Sequence, residues 1–217
     1  MAVPVSDSAR DNGALRRHTV LRPTPAAYRC QGAAGQRRRT STSLLRQRLR
    51  TARDEPGRDR WLGYTANDRE YALMLRHRRP RPWLVCVHGT EMGRAALDLT
   101  VFRVRHLHRD LGLNVVLPVL PMHGPRCRRL PKGAVFPGED VLDNVHATAQ
   151  AVWDIRRLVS WIRRQQPESP IGLNAISLGG YVASLVASLE DDLARDRGRT
   201  GGRPRGSPRP PRGPQQR

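Results

Sequence analysis

The sequence is short of several things, and each shortage removes a class of explanation. Cysteine occurs three times, at Cys30, Cys86 and Cys127. The number is odd, the spacing is wide and no C-x-x-C is present, so neither a disulfide framework nor a zinc site is indicated. Cys86 stands in an apolar run and reads as a small buried hydrophobe. No stretch approaches the ~20 apolar residues needed to span a bilayer. The opening residues, Met1 to Asp7, lack a basic region followed by an apolar one, so no signal peptide is expected and the expected location is cytoplasmic. Lysine is nearly absent. Lys132 is the only one, so 39 − 1 = 38 of the basic residues are arginine. A chain selected for phosphate contact would usually mix the two. Near-exclusive arginine with abundant Gly and Pro is the signature of a GC-rich coding sequence rather than of nucleic-acid binding. No histidine follows position 146.

What is present is unevenly spread. The net charge is +20 over 217 residues. Residues 1–60 hold 14 arginines and 5 acids, residues 61–196 hold 18 basic residues and 14 acids, and residues 197–217 hold 7 arginines and no acid. The excess therefore sits at the two ends, and it sets three expected units: a basic, mostly disordered arm over 1–60, a folded domain over 61–194, and an Arg/Pro/Gly-rich disordered tail over 195–217. Within the arm, Leu44–Leu49 could make a short basic helix. A nucleic-acid role for the arginine-rich ends is a rival reading. It lacks the aromatic residues that would interleave with the arginines and stack on bases.

Order is expected from Trp61. Residues 61–65 and 70–75 read as strand, turn, strand, with Asn67-Asp68 at the turn. Trp83–Val87 is an apolar run of strand length, suited to the interior of a parallel sheet, and it ends in His88-Gly89-Thr90. Leu97, Val101, Val104, Leu107 and Leu111 follow helical spacing up to Gly112. Asn114–Leu117 is a second buried strand, followed by a breaker-rich loop containing His123. Val145, Ala149, Val152, Ile155, Val159 and Ile162 define the clearest helix, with Asp140 or Asp143 as its cap and Pro167 as its stop. Ile171 to Ala175 is a third strand. Small residues at Ala175, Gly179 and Gly180 surround Ser177, and Val182, Leu185, Val186 and Leu189 then mark one face of a helix. Strands alternating with amphipathic helices imply an α/β fold, a mainly parallel sheet with flanking helices. His88-Gly89, the His123 loop and Ser177 all fall at the carboxyl ends of strands, where such sheets carry their chemistry.

A strand that turns sharply into a helix with a serine at the apex is the nucleophile elbow. Val87-His88-Gly89-Thr90, the loop Pro121 to Arg126, and Ala175-Ile176-Ser177-Leu178-Gly179-Gly180 occur in the order and spacing of three α/β-hydrolase motifs. From about Trp61 to Leu189 the chain resembles the N-terminal part of an α/β-hydrolase of the serine esterase type, with alanine at the first elbow position. The resemblance implies an acyl-enzyme on Ser177, formed from a small carboxylic ester or related acyl substrate. It implies an oxyanion hole from the Leu178 N–H and an N–H of the loop holding Gly89 and Thr90. His88 and His123 would shape the pocket, and no metal or organic cofactor is implied.

In this family the triad acid and histidine follow the serine. Here the acids after Ser177 cluster at Glu190, Asp191, Asp192 and Asp196, and no histidine follows. The loss of periodicity after about Ala194 is what a GC-rich gene yields when read out of frame. The expectation is therefore a truncated hydrolase with frame-shifted ends and low competence, and with a sheet edge exposed for self-association. A non-catalytic binding or scaffold protein on the same fold is the nearer rival.

Overall fold

A computed structural model describes residues 54–190 and Leu193, together with the backbone of two strands at 29–31 and 40–46. The strands are β1 (Arg29–Gln31), β2 (Thr40–Arg46), β3 (Arg69–Leu75), β4 (Trp83–Val87), β5 (Asn114–Pro118) and β6 (Ile171–Ala175). The helices are α1 (Arg58–Gly63), α2 (Ala95–Val101), α3 (Val141–Gln165) and α4 (Leu178–Leu189). One sheet has the order β1-β2-β3-β5-β4-β6. Its β5-β4-β6 portion is parallel, and the β1-β2-β3-β5 portion is antiparallel. The α/β architecture is as expected, with the parallel pairing confined to the three strands that carry the candidate site.

Period-2 alternation explains how both sheet faces are covered. Trp83, Val85 and Val87 of β4 point to one face, where Ala151, Ile155, Leu158, Val159 and Ile162 of α3 and Val182 and Val186 of α4 pack on them. Cys86 points the other way, into a cluster with Phe102, Val104, Val115 and Leu117. Each fully buried Val, Leu or Ile of this kind contributes about 1.5–3 kcal/mol. Among the described residues β6 is the edge strand, and Gly172 to Ala175 are half-buried where their β4 partners Cys86 and Val87 are buried.

Several expectations are corrected. Residues 61–65 do not form a strand. Trp61 lies in α1, and Trp61 and Tyr64 are both buried. A separation of three puts these two rings on one side of a helical turn, where they meet edge to face at 5.8 Å and Trp61 stacks on His146 of α3. The hairpin expected at Asn67-Asp68 is a 3-10 turn over Thr65–Asp68. Part of the basic arm is strand: Thr40–Arg46 pairs with the whole of β3, which replaces the short helix expected at 44–49. Its Thr-rich composition suits a strand, and charge composition carries no information about pairing. The rest of the arm before Asp54, and the tail apart from Leu193, lie outside the described residues, as do the expectations placed on them.

The helix expected at 97–111 is α2 followed by a break at Arg103, whose φ is 51°, and a π-helical turn over His106–Asp110. In α3 the inward face is also shifted. Val145 is 53 % exposed, whereas Asp143, His146, Gln150 and Asp154 point inward. Asp140 caps this helix by accepting from the Asp143 N–H at 3.0 Å.

Candidate active site

The site begins where β6 ends. The Ile176 N–H still donates to the Val87 carbonyl at 3.1 Å, so the chain stays in register with β4 for one residue beyond the strand. Ser177 then adopts φ 51° and ψ −119°, and Leu178 opens α4. A non-glycine residue in this region of backbone space costs about 1–3 kcal/mol and persists only where its surroundings impose it. The surroundings here do so through two glycines. A Cβ on Gly179 would run into the Val87 and His88 carbonyls, which fixes glycine at that position. A Cβ on Gly89 would lie 3.2 Å from the Ile176 carbonyl oxygen and 3.3 Å from the Ser177 Cβ. The loop after β4 is therefore pressed against the turn that holds Ser177. The Ser177 side chain is exposed and makes no capping hydrogen bond to α4.

The Leu178 N–H is the first of α4 and has no intrahelical acceptor, and the positive end of the helix dipole adds to it. The Gly89 N–H is turned toward the Met92 sulfur at 3.3 Å, a weak acceptor. Thr90 is exposed next to it, and Glu91 adopts φ 62° as the loop reverses.

His88 is only 1 % exposed, and both ring nitrogens are used. Nε2 accepts from the Leu120 N–H at 2.9 Å, so the ring proton is on Nδ1, which donates to the Gly89 carbonyl at 2.8 Å. Burial is the main reason its pKa falls to about 4, and the positive charge of nearby Arg126 adds to this. His123 is also buried, donates from Nδ1 to the Pro121 carbonyl at 2.8 Å, and has its pKa lowered chiefly by burial. The two rings meet edge to face at 4.9 Å. They close on Gly93, where a Cβ would sit 2.9 Å from the His88 Nε2. These contacts tie the loop after β4 to the loop after β5, and neither imidazole is turned to Ser177.

A buried ion pair supports the second loop. Arg126, fully buried, donates to the Val119 carbonyl at 2.9 Å, the Asn67 carbonyl at 2.8 Å and the Asp154 carboxylate at 2.8 Å. Gln150 also donates to Asp154, at 2.7 Å. The Asp154 pKa is raised by burial even so. Sequence reasoning missed Gly93, Arg126 and Asp154. The glycine after His88-Gly89 was the only available signal, and a buried Arg–Asp pair spanning a loop and a helix leaves no local pattern.

The described histidines are all engaged elsewhere. His77 and His108 bond to carbonyls of His108 and Leu113, His106 to Asp110, and His146 to Pro56. Among the described residues no imidazole hydrogen-bonds Ser177, and no cluster of three or more His, Cys, Asp or Glu side chains is placed to hold a metal ion. No described helix is long and apolar enough to cross a membrane.

No family model matches the sequence. Two uncharacterized proteins of Mycobacterium tuberculosis, MT2702 and Rv2627c, are each 78% identical over 132 residues, which is 61% of this chain. The match spans 32% of those relatives, so the chain corresponds to about a third of their length. Among solved structures, a candidate acetyl xylan esterase of Bacteroides fragilis is similar with a TM-score of 0.56 at 13% identity, over 85% of this chain and 51% of that one. Acetyl xylan esterase 1 of a Thermoanaerobacterium species gives 0.51 at 17%, over 84% and 56%. A cold-adapted esterase from an Arctic intertidal metagenomic library gives 0.50 at 14%, over 77% and 63%. At such identities the likeness speaks for architecture alone. The described residues share the mixed α/β architecture of these esterases over part of their length, and the Ser177 turn stands at the carboxyl edge of the parallel strands.

Proposed function

We propose that the protein is a serine hydrolase of the carboxylic-ester class, with Ser177 as the residue that takes the acyl group. One observation carries this reading: Ser177 is held exposed, at φ 51° and ψ −119°, between β6 and α4 and against Gly89. A strained serine at a strand-to-helix turn has no packing purpose that alanine or glycine would not serve better. Its Oγ would attack the ester carbonyl carbon. The carbonyl oxygen, now negative, would be held by the Leu178 N–H together with an N–H from Gly89 or Thr90. Collapse of that intermediate would re-form the carbonyl, break the bond to the alcohol oxygen, and leave the acyl group on Ser177. Water would release it.

The Oγ proton must leave during the attack. With no described imidazole in position, it passes to solvent or to the departing alkoxide, which forgoes about 10²–10⁴-fold in rate. The reading therefore predicts acylation by activated esters and slow turnover. Mixing with p-nitrophenyl acetate should release a burst of nitrophenolate that scales with protein concentration and is absent in Ser177→Ala. Equal release by wild type and Ser177→Ala would overturn the proposal. It would favour the rival in which the fold serves binding alone, a rival supported by the engagement of every described histidine.

A further inference from the structure

A cavity whose walls do not include Ser177 lies where the start of β3 meets the loop after β5. Its volume is about 440 Å³, and it is walled by Thr65, Asp68, Arg69 and Tyr71 on one side and by Arg128 and Arg129 on the other. Topology brings these segments together. Because β3 runs antiparallel to β5, its first residues lie at the carboxyl end of β5, where the Val119 N–H donates to the Tyr71 carbonyl at 2.8 Å. The loop after β5 returns there through the 3-10 turn Gly124–Cys127, anchored beneath by the buried Arg126.

What sets this cavity apart is that three exposed arginines, Arg69, Arg128 and Arg129, converge on one concavity. Arg60, Arg126, Arg156 and Arg163 each face a carboxylate at 3.0 Å or less, whereas other exposed arginines such as Arg78 and Arg79 face none among the described residues. None of the guanidinium groups of Arg69, Arg128 and Arg129 forms an ion pair or hydrogen bond with a described residue. Arg129 is moreover held at φ 62°, an uncommon backbone for arginine and one that recurs at ligand clamps. Among the described residues lining it, three arginines and one carboxylate, Asp68, leave an excess of about two positive charges, which a dianion balances. Guanidinium forks match phosphate oxygens in pairs, and the Thr65 and Tyr71 hydroxyls are further donors. The volume exceeds that of a bare phosphate and falls in the range of about 300–1,000 Å³ usual for small-molecule sites.

We propose that this cavity binds the phosphate group of a phosphorylated small molecule, with Arg69, Arg128 and Arg129 as its ligands. The site is independent of Ser177 and of any acyl chemistry. The test is calorimetric titration of the full chain with inorganic pyrophosphate at about 0.15 M salt, where diffuse attraction beyond ~8 Å is screened. Wild type should bind. Arg128→Gln/Arg129→Gln should weaken binding by about tenfold or more, as should Arg69→Gln from the opposite wall, so the failure of one variant to fold leaves the other to decide. Arg78→Gln/Arg79→Gln removes the same charge from exposed positions between β3 and β4 and should change affinity by less than about twofold. Equal weakening by the two double variants would reduce the effect to net charge and overturn the proposal. So would the absence of binding by wild type, or citrate binding as tightly as pyrophosphate.

Discussion

Gly179 and Gly180 are adjacent in sequence and both lie in the first turn of α4, yet the structure predicts opposite responses to the same methyl group. A Cβ on Gly180 meets nothing within 4 Å. Gly180→Ala should therefore stabilise the fold by about 0.5–1 kcal/mol, the ordinary gain for alanine over glycine in a helix. A Cβ on Gly179 collides with the carbonyls of Val87 and His88. Those carbonyls cannot simply retreat, because the Val87 oxygen accepts from the Ile176 N–H at 3.1 Å and that bond positions the elbow. Forcing an extra methyl into a packed site costs about 1–3 kcal/mol. Loss of the bond adds about 1 kcal/mol. After subtracting the helix gain, Gly179→Ala should be destabilised by about 2 kcal/mol. The two variants then differ by about 3 kcal/mol, which at a urea m-value of about 1–3 kcal/mol/M separates their midpoints by about 1 M or more. Fluorescence of the buried pair Trp83 and Trp161, edge to face at 6.1 Å, reports the transition. Coincident midpoints, or a more stable Gly179→Ala, would refute the close approach of α4 to β4 on which the elbow rests.

Three further outcomes follow from the same contacts. Ser177→Gly should raise the melting temperature, because it relieves a backbone strain of about 1–3 kcal/mol and gives back only part of that in chain entropy, whereas Ser177→Ala should not. Arg126→Met strands the buried Asp154 carboxylate and should cost about 3–5 kcal/mol in a urea titration, most of it recovered in Arg126→Met/Asp154→Leu. The buried, neutral His88 gives a pH dependence. Its folded pKa of about 4 lies below the ordinary 6.5, so the unfolded chain takes up the proton first as the pH falls. Stability should be full above pH 6.5 and decline toward pH 4, by up to about 3 kcal/mol. The decline should be shallower in His88→Gln, and an unchanged slope in that variant would assign it elsewhere.

The parts of the fold that could be read from the sequence are those whose cause is local. Trp83–Val87 and residues 115–117 are apolar runs, buried on both faces but for the half-buried Leu84, and such runs have few other uses. The turn at Ser177 was visible because crowding leaves its mark as small residues, Gly179 above all. Where the cause lies at a distance, the sequence was silent. The polar face of α3 is turned inward because Asp143 meets Arg60 and Tyr64 at 3.0 Å, and Asp154 meets Arg126 at 2.8 Å. Those partners come from segments far off in the chain. An apolar count over α3 alone selects Val145, which is exposed, and passes over Asp154, which is buried. Thr40–Arg46 was missed for a related reason, since it is a strand by virtue of pairing with β3.

The central claim is that Ser177 stands exposed at the elbow as an acyl-accepting nucleophile. The direct measurement is mass-spectrometric mapping of the folded full chain after incubation with a fluorophosphonate. The account predicts a single adduct on the peptide carrying Ser177, formed slowly for want of a base and absent in Ser177→Ala. A folded sample that remains unmodified, or one modified equally at other serines, would contradict it.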